Sequence, residues 1–396
     1  MARTGIVLIV LAALAGVTGC DPGILPGPDP DAEPSPDVSE IRDWHDLDAV
    51  RGNLGGRYVL TNDLDTTTRG YAQLASSTAN QNKGWQPIGT SEARFTGSFD
   101  GQGYEIRDLF INRPGEGFVG LFGTADTAAV IRDLGVVNAV VIGEWAVGVI
   151  AGSNWGGVSN SYSSGSVSGD DCVGGLVGGN SGGVNNCYSA ATVVGRWDVG
   201  GLVGCNDPGG TVSKSYSVGG VSGEWSVGGL VGGNLGGALS KSYSTGGVSG
   251  DDYVGGLVGD NQGAVSNCYA TGGVSGQWYV GGLVGYNDSG GSVSHSYARG
   301  TVSGDWHVGG LVGGNDGPSV SNSFWDIDIS GWAESDGGVA KTTAALRDIA
   351  TFSDTATQGL DEPWDVVAVA PGESNTGYIW NMVDGQTYPF LSWQSD

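Results

Sequence analysis

A motif of the form Val-Gly-Gly-Leu-Val-Gly-x-Asn recurs seven times in this chain, and its period leaves few folds open. The first Val of each copy is Val147 (degenerate), Val173, Val199, Val227, Val254, Val280 and Val308, at spacings of 26, 26, 28, 27, 26 and 28. A near-constant period of this size is the mark of a solenoid or array, in which each unit buries its apolar face only by stacking on its neighbours. Each unit reads as three short extended pieces: Gly-Gly-Leu-Val-Gly, a stretch like Val265-Ser266-Asn267-Cys268-Tyr269-Ala270, and a stretch like Gly273-Val274-Ser275-Gly276. β-Branched and aromatic residues fill the pieces, Gly, Asn and Asp punctuate them, and no helical period survives. The expectation is an all-β fold, a parallel β-helix of 26–28-residue coils with a C-terminal cap.

Length variation supports stacking. Both 28-residue units carry their extra residues at one turn, Asp207-Pro208-Gly209-Gly210 and Asp288-Ser289-Gly290-Gly291, which leaves the strand registers untouched. Stacked coils convert the repeat into columns spaced about 4.8 Å. One column is Asn154, Asn180, Asn206, Asn234, Asn261, Asn287 and Asn315, whose amides are expected to bond along the axis. A second is Tyr162, Tyr188, Tyr216, Tyr243, Tyr269, Tyr297 and Phe324. Side-chain parity leaves open which face of that strand is buried.

The repeated Gly-Gly-Leu-Val-Gly-x-Asn resembles the GLUG repeat of bacterial surface proteins. The upstream stretches at 58–64, 85–89 and 95–103 are similar to the region that precedes such repeats. Ser323-Phe324-Trp325-Asp326 and Tyr388-Pro389-Phe390-Leu391 are similar to the closing segment. The resemblance covers residues 41–396. It implies a parallel β-helix on an exported or surface-attached protein, and it brings no catalytic residue. GLUG repeats also accompany adhesins and some IgA-cleaving metallopeptidases.

The start of the chain points to export. Arg3 precedes an apolar run over residues 6–15, too short to span a bilayer as a helix, which takes about 20 residues. The run ends at Val17-Thr18-Gly19-Cys20, which resembles the lipobox of bacterial lipoproteins and implies lipid attachment at Cys20. Residues 21–40 are rich in Pro and acids and read as an extended tether. The organisation expected is therefore a signal peptide over 1–19, a lipidated Cys and tether over 20–40, and first coils over 41–117. The repeat solenoid follows over 118–325, then a last coil and cap over 326–396, in which residues 343–349 read as loosely helical and Trp364, Trp380 and Trp393 are candidates to pack over the end. The location expected is a membrane-anchored lipoprotein at the cell surface or in the periplasm.

Composition narrows function. Acids outnumber bases 42 to 16, which excludes a basic nucleic-acid binder. A zinc peptidase needs His-Glu-x-x-His, yet none of His45, His295 and His307 is followed by Glu. Gly-Asn-Ser181-Gly-Gly and the turn around Ser289 mimic serine-hydrolase motifs, but both fall on ordinary repeat turns with no helix to form a nucleophile elbow. Cys187 and Cys268 share a column three coils apart, about 14 Å, beyond the roughly 7 Å a disulfide tolerates. They align with Ser161, Ser215, Ser242, Ser296 and Ser323 and read as small core fillers, and no disulfide is expected among Cys172, Cys187, Cys205 and Cys268.

The turn before each motif Val is the most suggestive surface. It reads Glu144-Trp145, Asp170-Asp171, Arg196-Trp197, Glu224-Trp225, Asp251-Asp252, Gln277-Trp278 and Asp305-Trp306. Sugar rings stack on aromatic faces while carboxylates accept their hydroxyl hydrogens, so Trp197, Trp225, Trp278 and Trp306 are the candidate ligand-binding residues. The competing reading is that the indoles pack on each other as struts. Asp170-Asp171 and Asp251-Asp252 offer too few oxygens for Ca²⁺, and no metal or cofactor is expected. The functional expectation is a non-catalytic, surface-anchored adhesion or binding lipoprotein whose partners are the lipid bilayer, through its anchor, and a surface glycan or protein. The alternatives are a carbohydrate-active β-helix enzyme, with bases in the column Asn160, Asn186, Lys214, Lys241, Asn267, His295 and Asn322, and a structural spacer.

Overall fold

The computed structural model describes residues 38–394. Cys20 and most of the tether lie outside the described residues.

The coil beginning at Trp225 shows why the repeat folds as it does. It holds five short strands: β1 (Trp225–Gly228), β2 (Val231–Asn234), β3 (Ala238–Ser240), β4 (Tyr243–Ser244) and β5 (Val248–Ser249). Equivalent strands recur in the other coils and stack parallel, in register, into four long sheets. The β1 class forms a seven-stranded sheet, the β2 class an eight-stranded one and the β3 class an eleven-stranded one. The β4 and β5 classes share a sixteen-stranded sheet. Val227 pairs Val199 below and Val254 above, and Asn234 pairs Asn206 and Asn261. The chain is therefore the parallel β-solenoid expected.

Two of the expected extended pieces are broken. Gly-Gly-Leu-Val-Gly is a corner between β1 and β2. A Cβ on Gly228 would lie 1.8 Å from the Val231 carbonyl oxygen, and one on Gly229 would lie 2.1 Å from the Gly256 carbonyl oxygen of the next coil. The paired glycines are thus required by backbone approach. The second piece is cut between β3 and β4 by a residue in left-handed geometry. Asn160, Asn186, Lys214, Lys241, Asn267, His295 and Asn322 all have φ between 47° and 54°. Asn tolerates that region best among residues with a Cβ, which accounts for its frequency in this column.

The bend also settles the second strand's parity. Ser215 and Ser217 are both buried and Tyr216 between them faces outward, and the neighbouring coils repeat this. The free thiols of Cys187 and Cys268 occupy the Ser215 column inside the core, as expected for small fillers. Around them Val227, Leu230, Val231, Leu239 and Val248 of the representative coil are buried, each burial contributing roughly 1.5–3 kcal/mol before entropy.

The expected absence of disulfides is corrected: Cys172 and Cys205 are bonded, with Cα atoms 5.2 Å apart. Cys172 and Cys205 lie in different columns. Their bond runs diagonally, from the start of one coil to the β2-class strand of the next, across the Gly-Gly corner.

The N-terminal coils are less regular. The strand Val38–Ile41 opens the eleven-stranded sheet, and a six-residue helix, α1 (Trp44–Ala49), follows, capped by the Asp43 carboxylate on the His45 and Asp46 amides. Trp44 and Trp85 are fully buried and meet edge to face at 5.8 Å. At the other end, Trp325 packs over the last coil, its indole donating to the Trp332 carbonyl. Beyond it the loosely helical reading of residues 343–349 becomes a 3-10 turn, Ala345–Arg347, followed by a short helix, Ala350–Ser353. The last segment adds strands β6 (Val366–Ala368), β7 (Trp380–Met382) and β8 (Phe390–Leu391). Trp364, Trp380 and Trp393 do not pack over the end. They lie against the outward Tyr column, with Trp393 donating to the Lys241 carbonyl and Trp380 to the Asn267 amide oxygen.

Candidate functional site

The turn ahead of β1 projects its residues because of a second left-handed column. Ala146, Cys172, Asp198, Ser226, Tyr253, Tyr279 and His307 all have φ between 49° and 53°. In a regular strand successive side chains alternate faces. The bend cancels one alternation, so the turn residue and the one after it both face outward before the motif Val turns in.

The four candidate tryptophans sit in this row. Trp197 and Trp225 stack at 5.3 Å with an interplanar angle of 13°, and Trp278 and Trp306 stack at 5.5 Å and 16°. These are the spacings that register pairing dictates. Trp197, Trp278 and Trp306 are 40%, 42% and 60% exposed, and Trp225 is half-buried. Asp252 pairs Trp225 on one side and Trp278 on the other and separates the two stacks. Acids flank the row: Glu224 binds the Arg196 guanidinium at 3.0 Å, and Asp251 accepts from the Gln277 amide at 3.0 Å.

Sequence reasoning missed the residues that bridge the gap. Tyr253, beside Asp252, meets the Trp225 ring edge-on at 6.0 Å. It stacks on Tyr286 of the next coil's β2-class strand at 5.0 Å and 17°, and Tyr286 meets Tyr279 edge-on at 5.2 Å. Tyr279 stacks on His307 at 4.5 Å and 9°. The result is one aromatic face from Trp197 to Trp306, two stacks joined by Tyr253, Tyr286 and Tyr279. The signal was present as Tyr253, Tyr279 and His307 immediately before three motif valines. Ordinary strand alternation from the buried motif Val would turn these side chains outward and the Trp position inward, so the two sets are not read as sharing one face.

The same face is acidic at its lower end. Asp171, Cys172, Asp198 and Cys205 bring their ligand atoms within 4.8 Å of one another. The two sulfurs are bonded to each other, which removes them as thiolate ligands and leaves two carboxylates, few for a divalent cation. Burial, then the Asp171 and Asp260 carboxylates, push the Asp198 carboxyl up to about 7. Burial and the neighbouring Asp170 and Asp251 likewise raise Asp171 and Asp252, respectively.

The outward Tyr column makes a second aromatic surface. Tyr162, Tyr188, Tyr216, Tyr243, Tyr269 and Tyr297 stack in sequence at 4.8–5.1 Å. The cap covers its upper part, and a groove of about 330 Å³ remains where Trp393 ends beside Tyr216 and Lys214. Of the serine motifs, Ser181 donates to the Asp207 carboxylate of the adjacent coil's turn at 2.9 Å, and His295 lies against Trp364.

The GLUG motif family model matches residues 250–275 and 276–303. Among curated proteins, Halomucin of Haloquadratum walsbyi is 36% identical over 138 residues, 33% of this chain and 2% of that protein. A protein named "Putative Gly-rich membrane protein" of Evansella cellulosilytica is 35% identical over 119 residues, 29% of this chain and 13% of that protein. The aligned segments thus span only a small part of either relative. Among solved structures, one titled "Crystal structure of a putative immunoglobulin A1 protease from Bacteroides ovatus" superposes over 91% of this chain and 93% of that one, with a TM-score of 0.50 and 19% identity. At that identity the likeness concerns the fold alone.

Proposed function

We propose that this chain is a non-catalytic binding protein displayed at the cell surface, which holds glycans against the aromatic face between Trp197 and Trp306. The observation that carries the reading is the exposed Trp stacks bridged by three tyrosines and flanked by carboxylates. Successive rings about 5 Å apart match the length of a sugar ring, and the solvent-exposed parts of these rings with neighbouring carboxylates complement the apolar and hydroxyl sides of a carbohydrate. A rigid solenoid holds those rings without ordering cost, which favours affinity. Similarity to a protein named as a membrane protein, together with the GLUG repeats, supports the surface location. Attachment through a lipid on Cys20 is part of the same proposal, and fatty-acid labelling that persists in Cys20→Ser would remove it.

A glycan array probed with the soluble body tests the binding claim. Retention of one or more glycans, reduced at least tenfold by Trp278→Ala in a normally folded variant, is the expected result. An array with no retained glycan would overturn it.

A further inference from the structure

The repeat is broken at one position that the aromatic face does not use. The residue after each β4-class strand is small or neutral in four coils, Ala190, Val218, Thr245 and Thr271, and becomes Arg299 in the next. That Arg lies where the cap folds back. Its guanidinium sits 4.7 Å from the centre of the Tyr388 ring, and the Arg347 guanidinium, from the cap's 3-10 turn, sits 5.2 Å from the same ring. The two flank a cavity of about 470 Å³ walled by Tyr269, Tyr297, Tyr388 and Phe390, with Gln386 and Thr387 at its edge.

Charge makes this placement unusual. The chain carries a net charge of −26, and nine of its cationic side chains form ion pairs among the described residues. Among the described residues Arg299 and Arg347 form none, and the buried Arg299 Nε has no hydrogen-bond partner there. Among the described residues no Asp or Glu lines the cavity. The acid beneath it, Asp326, is fully occupied. One carboxylate oxygen accepts from the Asp328 and Ile329 amides, and the other accepts from the Thr343 and Tyr388 hydroxyls. Two guanidiniums unneutralised in so acidic a protein fit an anion that arrives from outside.

We propose that this cavity binds a single anionic sugar residue, its ring against the tyrosines and its carboxylate or sulfate between Arg299 and Arg347. The volume suits one or two sugar rings. The excess negative charge of the rest of the surface repels a long polyanion, so the fit is to one acidic residue at a chain end. The site stands apart from the Trp row and does not depend on it.

Ligand-observed NMR with the full protein tests this, using glucuronate, glucose 6-sulfate and neutral glucose. At least one of the two anionic sugars should bind at least tenfold more tightly than glucose, and comparison of the two tells which group is read. Binding should weaken as salt is raised. Arg347→Gln, at an exposed position that folding tolerates, should cut anion affinity at least tenfold, and Trp278→Ala should leave it unchanged. Equal binding of glucose, no binding of either anion, or unchanged affinity in Arg347→Gln would overturn the site while leaving the aromatic-face reading standing. Loss in Trp278→Ala alone would assign the anion to that face instead and would equally remove this site.

Discussion

Cys172 and Cys205 are joined across a coil corner, and the same slot three coils later holds Tyr253 stacked on Tyr286. In both cases a residue in left-handed geometry just before a motif Val meets a β2-class residue of the next coil. The slot fixes adjacent coils to each other by a covalent bond at one end of the acidic and aromatic face and by ring stacking at the other.

The bond closes a loop with a sequence separation of 33. Chain-entropy arguments give such a closure about 3–4 kcal/mol. Replacing both residues by Ala, or reducing the wild type, should lower unfolding free energy by that order in a denaturant titration. The other two thiols provide an internal control. Burial pushes Cys187 and Cys268 up to about 12, so alkylating reagents should leave both unmodified in the native protein at pH 8 and label them only after unfolding.

The Asn column forms an unbroken amide ladder. Asn206 donates to Asn234 at 2.8 Å, and Asn234 donates to Asn261 at 2.7 Å, all fully buried. Asn234→Ala strips the acceptor from one buried amide and the donor from the next. Each orphaned group costs about 1–3 kcal/mol. A loss of roughly 2–5 kcal/mol is expected from chemical denaturation, against less than about 0.5 kcal/mol for a change at an exposed turn such as Ser289→Ala.

Asp198 makes stability depend on pH. Its carboxyl stands at about 7 in the folded chain, against about 3.9 in the unfolded chain. The native state therefore holds an extra proton between those values. The stability this contributes is fully present below about pH 4 and is lost as pH rises through 7. Asp198→Asn should melt higher than the wild type at pH 8, with the difference shrinking as pH falls to 4. The left-handed φ of 49° also suits Asn, so the change in the difference, and not its size at one pH, carries the test. A difference that stays constant with pH would contradict the assignment.

What was legible in the sequence was whatever the period dictates. Register, the Asn ladder and the Trp spacing follow once Val227 is aligned with Val199 and Val254, because stacked identical coils place identical residues one above another. What was hidden lies at the two left-handed columns and the glycine corners. Nothing in Lys214 or Tyr253 announces a positive φ, since neither Lys nor Tyr is a residue that favours the left-handed region. The bend at Tyr253 put the turn residue before it on the same outward face, and the corner brought Cys205 beside Cys172 across coils. The cap escaped for a different reason. Trp380 and Trp393 pack by long-range contacts to Asn267 and Lys241, which no local pattern encodes.

The central claim is that the aromatic face binds sugar and is not there to hold the coils together. Trp225→Ala combined with Trp278→Ala separates the two when melting temperature and polysaccharide retention are measured on the same preparation. The two indoles, exposed at Trp278 and half-buried at Trp225, are predicted to leave the melting temperature within a few degrees of wild type while retention is lost. A fall of the size expected for buried Trp, about 3–5 kcal/mol, with retention unchanged, would contradict the account and leave these residues as struts.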